Sequence, residues 1–304
     1  MVLKATESRN SKSMNIDQEE TLNILKTINL EDQEVPKIIG DEKILDQIKK
    51  IVDVIVENFK NGGRLFYMGA GTSGRLGILD AAECVPTYGT DPEMVQGLIA
   101  GGQEAVVSPV EGAEDSRELG EKDLQSKFLN KKDFVLGIAA SGSTPYVIGG
   151  LDYAKSVGAK TGSLCCNLNS EISKHSDFPI EAIVGPEVVT GSTRMKAGTA
   201  EKLILNMIST TSMIKIGKVY SNLMVDVKPT NIKLVDRAKR IISDAAEVNL
   251  TVASEYYEKA DHQPKIAIVM IKANVSLNDA KLALKHTGGF ISAAIKYLNN
   301  GSKE

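Results

Sequence analysis

Between residues 41 and 60 the chain reads DEKILDQIKKIVDVIVENFK, with Ile44, Leu45, Ile48, Ile51, Val52, Ile55, Val56 and Phe59 recurring three or four positions apart. That spacing puts the apolar side chains on one face and predicts a helix, which Gly62-Gly63 ends. An earlier helix is expected over 16–28. The pattern then switches to short apolar runs closed by glycines: Arg64–Met68 (RLFYM), 95–99 (VQGLI), Phe134–Ala139 (FVLGIA), 161–166 and Ile180–Val184. Runs of this length and composition predict buried strands. Helical stretches are expected between them at 73–83, 116–129 and 145–157. Strands alternating with helix-length segments define an α/β protein whose parallel sheet is sandwiched by helices.

After residue 185 the alternation stops. Residues 192–217 predict a long helix, and from about Asn231 the chain reads as short helices only. The expected organisation is an α/β domain over 1–228, including the N-terminal helices, and a small all-helical C-terminal module over 229–304. The final NNGSKE is expected to fray.

Composition narrows the functional classes. The 304 residues are 42% hydrophobic, with 36 Lys and Arg against 39 Asp and Glu, a net charge of −3. No general attraction to nucleic acid or anionic membranes is expected from that balance. No stretch approaches the roughly 20 apolar residues of a membrane helix, and the polar N-terminus lacks a secretory core. The three Cys show no CxxC spacing and the three His no HxxxH spacing. A disulfide framework and a metal site are therefore not expected, and a cytoplasmic location is.

Two loops carry candidate chemistry. Gly69-Ala-Gly-Thr-Ser-Gly74 follows a predicted strand and opens a predicted helix. It matches GxGxxG, but a dinucleotide site also wants an acidic residue at the end of the second strand. Asp91 and Glu93 precede that strand instead. Thr72, Ser73 and Gly74 then point to an anion at a helix N-terminus. The handover recurs at Ala140-Ser-Gly-Ser-Thr-Pro145, with Ser141, Gly142, Ser143 and Thr144 ahead of a well-placed Pro145. Neither loop has the GK[ST] of a nucleotide P-loop, so a phosphate monoester fits better than ATP. Simple helix capping is the alternative for each loop. Arg194 and Lys196 open the long helix as candidate cationic contacts or as solvated surface charges.

The segments MGAGTSGRLGILDAAECVPTY (68–88), LIAGG (98–102), VEGAEDSR (110–117), GIAASGSTPYV (137–147), VVTGSTRMKAG (188–198) and GKVYSNLMVD (217–226) resemble the sugar isomerase (SIS) family of phosphosugar-binding domains. Within it they are most similar to the N-acetylmuramic acid 6-phosphate etherases, over about 6–289. Val85 stands where that pattern usually has Pro, and Ser143 where it often has Arg. The resemblance implies a lyase that needs no cofactor, acts in cell-wall amino sugar recycling and forms a homodimer. It implies cleavage of a D-lactyl ether to N-acetylglucosamine 6-phosphate and D-lactate. It also implies Glu83 and Glu114 as catalytic residues, Glu83 as acid and Glu114 as base. The setting Ala81-Ala82-Glu83-Cys84-Val85 predicts an apolar surrounding that keeps Glu83 protonated. Asp80, Glu111 and Asp115 are neighbouring carboxylates open to the same roles, and Tyr88, Arg194 and Lys196 are candidates for the lactyl carboxylate. A non-catalytic phosphosugar sensor and an aldose–ketose isomerase are the competing functions.

Overall fold

A computed structural model describes residues 4–227, 229 and 231–301. The chain forms two compact units, Met1–Ala82 with Pro92–Ser209, and Glu83–Asp91 with Thr210–Glu304. Residue 228, where the domain boundary is expected, lies outside the described residues, as do Ser302–Glu304 of the expected frayed tail.

The first unit is built on five parallel strands, β1 (Leu65–Gly69), β2 (Val95–Ile99), β3 (Phe134–Ile138), β4 (Lys160–Cys165) and β5 (Phe178–Glu181), in the order β2-β1-β3-β4-β5. Every residue of β1 and β3 is buried, as a sheet covered on both faces requires. Its helices are α1 (Thr21–Asp32), α2 (Glu34–Ile39), α3 (Glu42–Lys60), α4 (Gly71–Tyr88), α5 (Glu104–Val107), α6 (Arg117–Ser126), α7 (Pro145–Ser156), α8 (Glu171–Lys174) and α9 (Lys196–Lys215). The last turns of α4 and α9 fall in the second unit.

Alternation along the strands decides which helix each residue meets. Phe66, Met68 and Val135 pack with Leu124 of α6 and with Tyr146, Val147 and Leu151 of α7. Tyr67 and Leu136, one position along, face α4 and α3 instead. A Cβ on Gly77 would lie 2.8 Å from the Tyr67 Cβ, and one on Gly162 would meet Leu136 and Ile51. The periodic residues of α3 are its buried face, from Ile44 to Phe59, while Leu45 stays 41% exposed. The Asp41 side chain caps this helix by accepting from the Lys43 N–H at 2.9 Å.

The expected strands are present within one to three residues at each end. The helix expected at 16–28 begins later, at Thr21, because 16–18 form a 3₁₀ turn. Short helices α2, α5 and α8 have too few residues to show a period.

The second unit contains a two-stranded antiparallel ribbon, β6 (Val219–Tyr220) with β7 (Leu223–Met224), and five helices. These are α10 (Ile232–Ala246), α11 (Leu250–Lys259), α12 (Pro264–Ala273), α13 (Leu277–His286) and α14 (Ile291–Gly301). Asn299–Gly301 of the tail continue α14. Its core joins Val225 and Val227 to Ile242, Ala253, Tyr257, Ile268, Val269, Ala283 and Ala294. Among the described residues no helix is long and apolar enough to cross a membrane.

One glycine of the first loop is a packing requirement. A Cβ on Gly74 would stand 2.6 Å from Ile99 Cγ1 and 2.8 Å from the Gly69 carbonyl oxygen. Gly74→Ala is expected to cost about 1–3 kcal/mol, the usual penalty of forcing a methyl into a filled core, measured as a lower urea midpoint. An unchanged midpoint would contradict the close approach of α4 to β1 and β2.

Candidate active site

Strand order reverses at β1. β2 lies on one side and β3 on the other, so the chain leaves these strands toward opposite flanks at their carboxyl ends. That is where an open parallel sheet leaves a crevice. A cavity of about 280 Å³ occupies this end of the unit. It is lined by Ala70, Gly71 and Thr72 after β1, by Ala100 and Ala105 after β2, and by Val110, Glu111 and Glu114. Glu114 sits in the 3₁₀ turn Ala113–Asp115, entered through Gly112 at φ 73°. The structure therefore brings the first hydroxyl loop and the expected base to one cavity.

Arg75 is a wall of this cavity that sequence reading passed over. It donates from Nε to the Val106 carbonyl at 2.8 Å and from Nη2 to the Ala105 carbonyl at 2.7 Å. Those carbonyls belong to α5, so the guanidinium satisfies the end of a short helix and ties α4 to the segment leading to Glu114. Its only signal in the sequence is a position three residues after Thr72, one turn along the same helix.

The second loop keeps its hydroxyls out of capping. Thr144 is the N-cap of α7, with Pro145 at the first helical position, yet its side chain makes no cap hydrogen bond. Gly142 holds the turn at φ 71°, and a Cβ there would meet Ser170 Cβ at 2.4 Å. The Ser143 Oγ lies 3.4 Å from Ser141 Oγ. Capping does not account for Thr144, which removes the simpler explanation for this position.

Ser73 points inward. Its hydroxyl donates to Glu201 Oε1 at 2.8 Å, and Ser73 is 7% exposed. Glu201, on α9, is wholly buried, and its Oε2 has no hydrogen-bond partner. Burial pushes this carboxyl up to about 8, against the lowering effect of the Ser73 hydroxyl.

The candidate cations of the third segment separate. Arg194 is exposed, whereas Lys196 is 3% exposed and its Nζ contacts Glu31 Oε2 at 2.6 Å. Lys196 lines a different cavity, with Asn10, Lys12 and Glu31. Burial alone would raise Glu31, but hydrogen bonds from Lys12, Lys196 and Asn10 outweigh it and hold the carboxyl at about 2. The start of α9 is served by Glu187, whose two oxygens accept from the Lys196 and Ala197 N–H groups, each at 2.9 Å.

The apolar surrounding expected for Glu83 is not observed. Ala81 and Cys84, three apart, are buried, and Glu83 between them turns outward and is exposed. Asp80 is engaged structurally, accepting from Tyr67 Oη at 2.9 Å, Asn206 Nδ2 at 2.7 Å and Ser209 Oγ at 3.1 Å. Asp115 is exposed and does not line the cavity, and the Tyr88 hydroxyl lies 3.3 Å from Thr210 Oγ1. Among the described residues no group of three or more His, Cys, Asp or Glu is arranged to hold a metal ion.

Sheet order and paired hydroxyl loops are compatible with a SIS domain. The family models agree: residues 47–155 match the glucokinase regulatory protein N-terminal SIS domain, and residues 117–210 match the SIS domain. A phosphoheptose isomerase from Francisella tularensis shares the fold, with a TM-score of 0.50 at 12% identity, over 64% of this chain and 100% of that one. The relation in sequence is far nearer to N-acetylmuramic acid 6-phosphate etherase 2 of Lactiplantibacillus plantarum, 59% identical over 95% of this chain and 97% of that protein. An N-acetylmuramic acid 6-phosphate etherase of Bacillus cereus is 56% identical over 96% and 98%. The chain belongs to the N-acetylmuramic acid 6-phosphate etherase family.

Glu201 makes a prediction about stability. In the unfolded chain this carboxyl ionises near 4.5, and in the folded protein near about 8. Between those values the folded state keeps a proton that the unfolded state has released, so stability falls as pH rises through the window. Glu201→Gln, neutral in both states, is expected to be little different from wild type at about pH 4 and progressively more stable toward about pH 8. Urea unfolding across that range measures the gap; a constant offset would contradict a buried acid at this position.

Proposed function

We propose that this chain is a lyase that cleaves the D-lactyl ether of N-acetylmuramic acid 6-phosphate by elimination and hydration. The products are N-acetylglucosamine 6-phosphate and D-lactate, within cytoplasmic recycling of cell-wall amino sugars. The observation that carries the reading is Glu114 on the wall of the cavity that Thr72 opens, in a chain of the etherase family.

An ether resists hydrolysis because alkoxide is a poor leaving group. In the open-chain sugar the C1 aldehyde acidifies the C2 proton. Glu114 as carboxylate removes that proton. Glu83 as carboxylic acid protonates the departing C3 oxygen, so lactate leaves as its hydroxy acid and an α,β-unsaturated aldehyde remains. Glu83, now ionised, takes a proton from water as that water adds to C3, and C2 regains its proton from Glu114. Protons balance over the cycle and no electrons are transferred. General acid and general base each contribute about 10²–10⁴-fold. The assignment of the two glutamates rests on the motif resemblance together with the position of Glu114; burial does not supply the acid role of Glu83.

The sugar phosphate is held at the crevice by the loops after β1 and β3, from Thr72, Gly74 and the backbone N–H of Ser73, whose hydroxyl is committed to Glu201, and from Ser141, Gly142, Ser143 and Thr144, with the N-terminal dipoles of α4 and α7 behind them. Arg194 is exposed and available to the lactyl carboxylate. The working form is a homodimer, supported by Leu22, Leu25 and Leu30, which α1 leaves 62%, 57% and 62% exposed.

Lactate release from the lactyl sugar phosphate separates this function from a sensor or an isomerase, neither of which frees lactate. Glu83→Gln and Glu114→Gln are each expected to lower that rate by about 10²–10⁴-fold while binding of N-acetylglucosamine 6-phosphate survives. Near-normal turnover in either variant would remove that residue from the mechanism. With wild type in labelled water, deuterium is expected at C2 and oxygen-18 at C3 of the sugar product; oxygen-18 in lactate would reject elimination.

A further inference from the structure

The second loop is not made of its own residues alone. Thr6, in the 3₁₀ turn Ala5–Glu7, is 1% exposed and exchanges two hydrogen bonds with Asn167, whose Oδ1 accepts from the Thr6 N–H and whose Nδ2 donates to Thr6 Oγ1. The same Asn167 amide donates to the carbonyls of Ala140 and Ser141, each at 3.2 Å. A buried asparagine thus fastens the N-terminal segment to the loop that follows β3. Next to this clasp, Lys4 Nζ donates to Ser143 Oγ at 2.8 Å and to the Ser141 carbonyl at 3.0 Å.

Charge makes that placement informative. A phosphate monoester carries about −1.5 to −2 at pH 7, whereas the loop offers only hydroxyls and backbone N–H groups. Of the other candidate cations, Arg194 is exposed and assigned to the lactyl carboxylate, and two more are held elsewhere. Arg75 donates to the carbonyls of α5, and Lys196 is buried against Glu31. Lys4 is exposed, and among the described residues no carboxylate pairs with it. An ammonium held on a carbonyl and a hydroxyl, without an anion, gains a charge-assisted hydrogen bond when an anionic oxygen arrives.

We propose that Lys4 supplies the cationic contact to the substrate's phosphate, its ammonium passing from the Ser141 carbonyl and Ser143 hydroxyl to a phosphate oxygen seated on loop 140–144. This rests on the reading that the loop holds the phosphate. Lys4 then acts on binding and leaves the elimination to other groups. Its flexible four-carbon stem and compact charge suit a contact made only when ligand is present.

Steady-state lactate release tests it, with Lys4→Gln, Lys4→Arg and Ser141→Ala beside wild type, and with inorganic phosphate and unphosphorylated N-acetylglucosamine as competing probes. Lys4→Gln is expected to raise KM about tenfold with kcat within about twofold, and to weaken inhibition by phosphate by a similar factor while leaving inhibition by the neutral sugar unchanged. Lys4→Arg is expected to recover most of the loss. A purely structural clamp would instead weaken inhibition by phosphate and by the neutral sugar together. Lys4→Gln with wild-type KM and phosphate inhibition overturns the proposal, as does a fall in kcat at unchanged KM. If Ser141→Ala raises KM while Lys4→Gln does not, Lys4 alone is rejected. If neither raises KM, the phosphate loop itself is rejected.

Discussion

The reversal of strand order at β1 is the constraint on which the site depends. Because β2 and β3 flank β1 in one parallel sheet, three strands deliver their following loops to the same edge. Two of those loops run straight into helices, α4 and α7, whose first N–H groups have no intrahelical partner. The third carries Glu114 on a 3₁₀ turn. Thr72 and Glu114, from loops after different strands, thus meet at one cavity. Close glycine contacts keep the helices tight on the strands: Gly74 against Gly69 and Ile99, and Gly77 against Tyr67.

Among the carboxyls buried in this unit, Glu31, Glu187 and Glu201 are divided by their environments. Glu31 is held ionised by Lys12, Lys196 and Asn10. Glu187 serves the first N–H groups of α9, yet burial still raises it. Glu201 has only the Ser73 hydroxyl and is pushed furthest toward the neutral acid. The charge of Lys196 is consumed inside this network, and that is why a lysine in a motif rich in hydroxyls is not a surface contact. Buried pairs of this kind contribute little net stability, but losing one partner leaves an uncompensated charge.

How much of this was legible in the sequence follows from which signals are local. The strands, α3, α7 and α9 were readable because their apolar periods are long or are bounded by glycine and proline. The two hydroxyl loops were readable because strand, glycine and helix start are contiguous. Three kinds of feature were not. The inward turn of Ser73 depends on Glu201, 128 positions away. The clasp of Thr6 on Asn167 and the reach of Lys4 to Ser143 span more than 130 positions. The outward turn of Glu83 is set by helix phase, in which Ala81 and Cys84 take the buried side, whereas the composition around it had pointed to an apolar pocket. The catalytic role proposed for the two glutamates is legible only through resemblance, since an isolated Glu carries no sign of its chemistry.

The most direct measurement is a crystal structure with N-acetylglucosamine 6-phosphate bound. The phosphate is expected within hydrogen-bond distance of Thr72 and of the backbone N–H groups of 142–144, with Glu114 beside C2 of the sugar. A phosphate bound away from both loops, or a Glu114 carboxylate directed away from the sugar, would contradict the site described here.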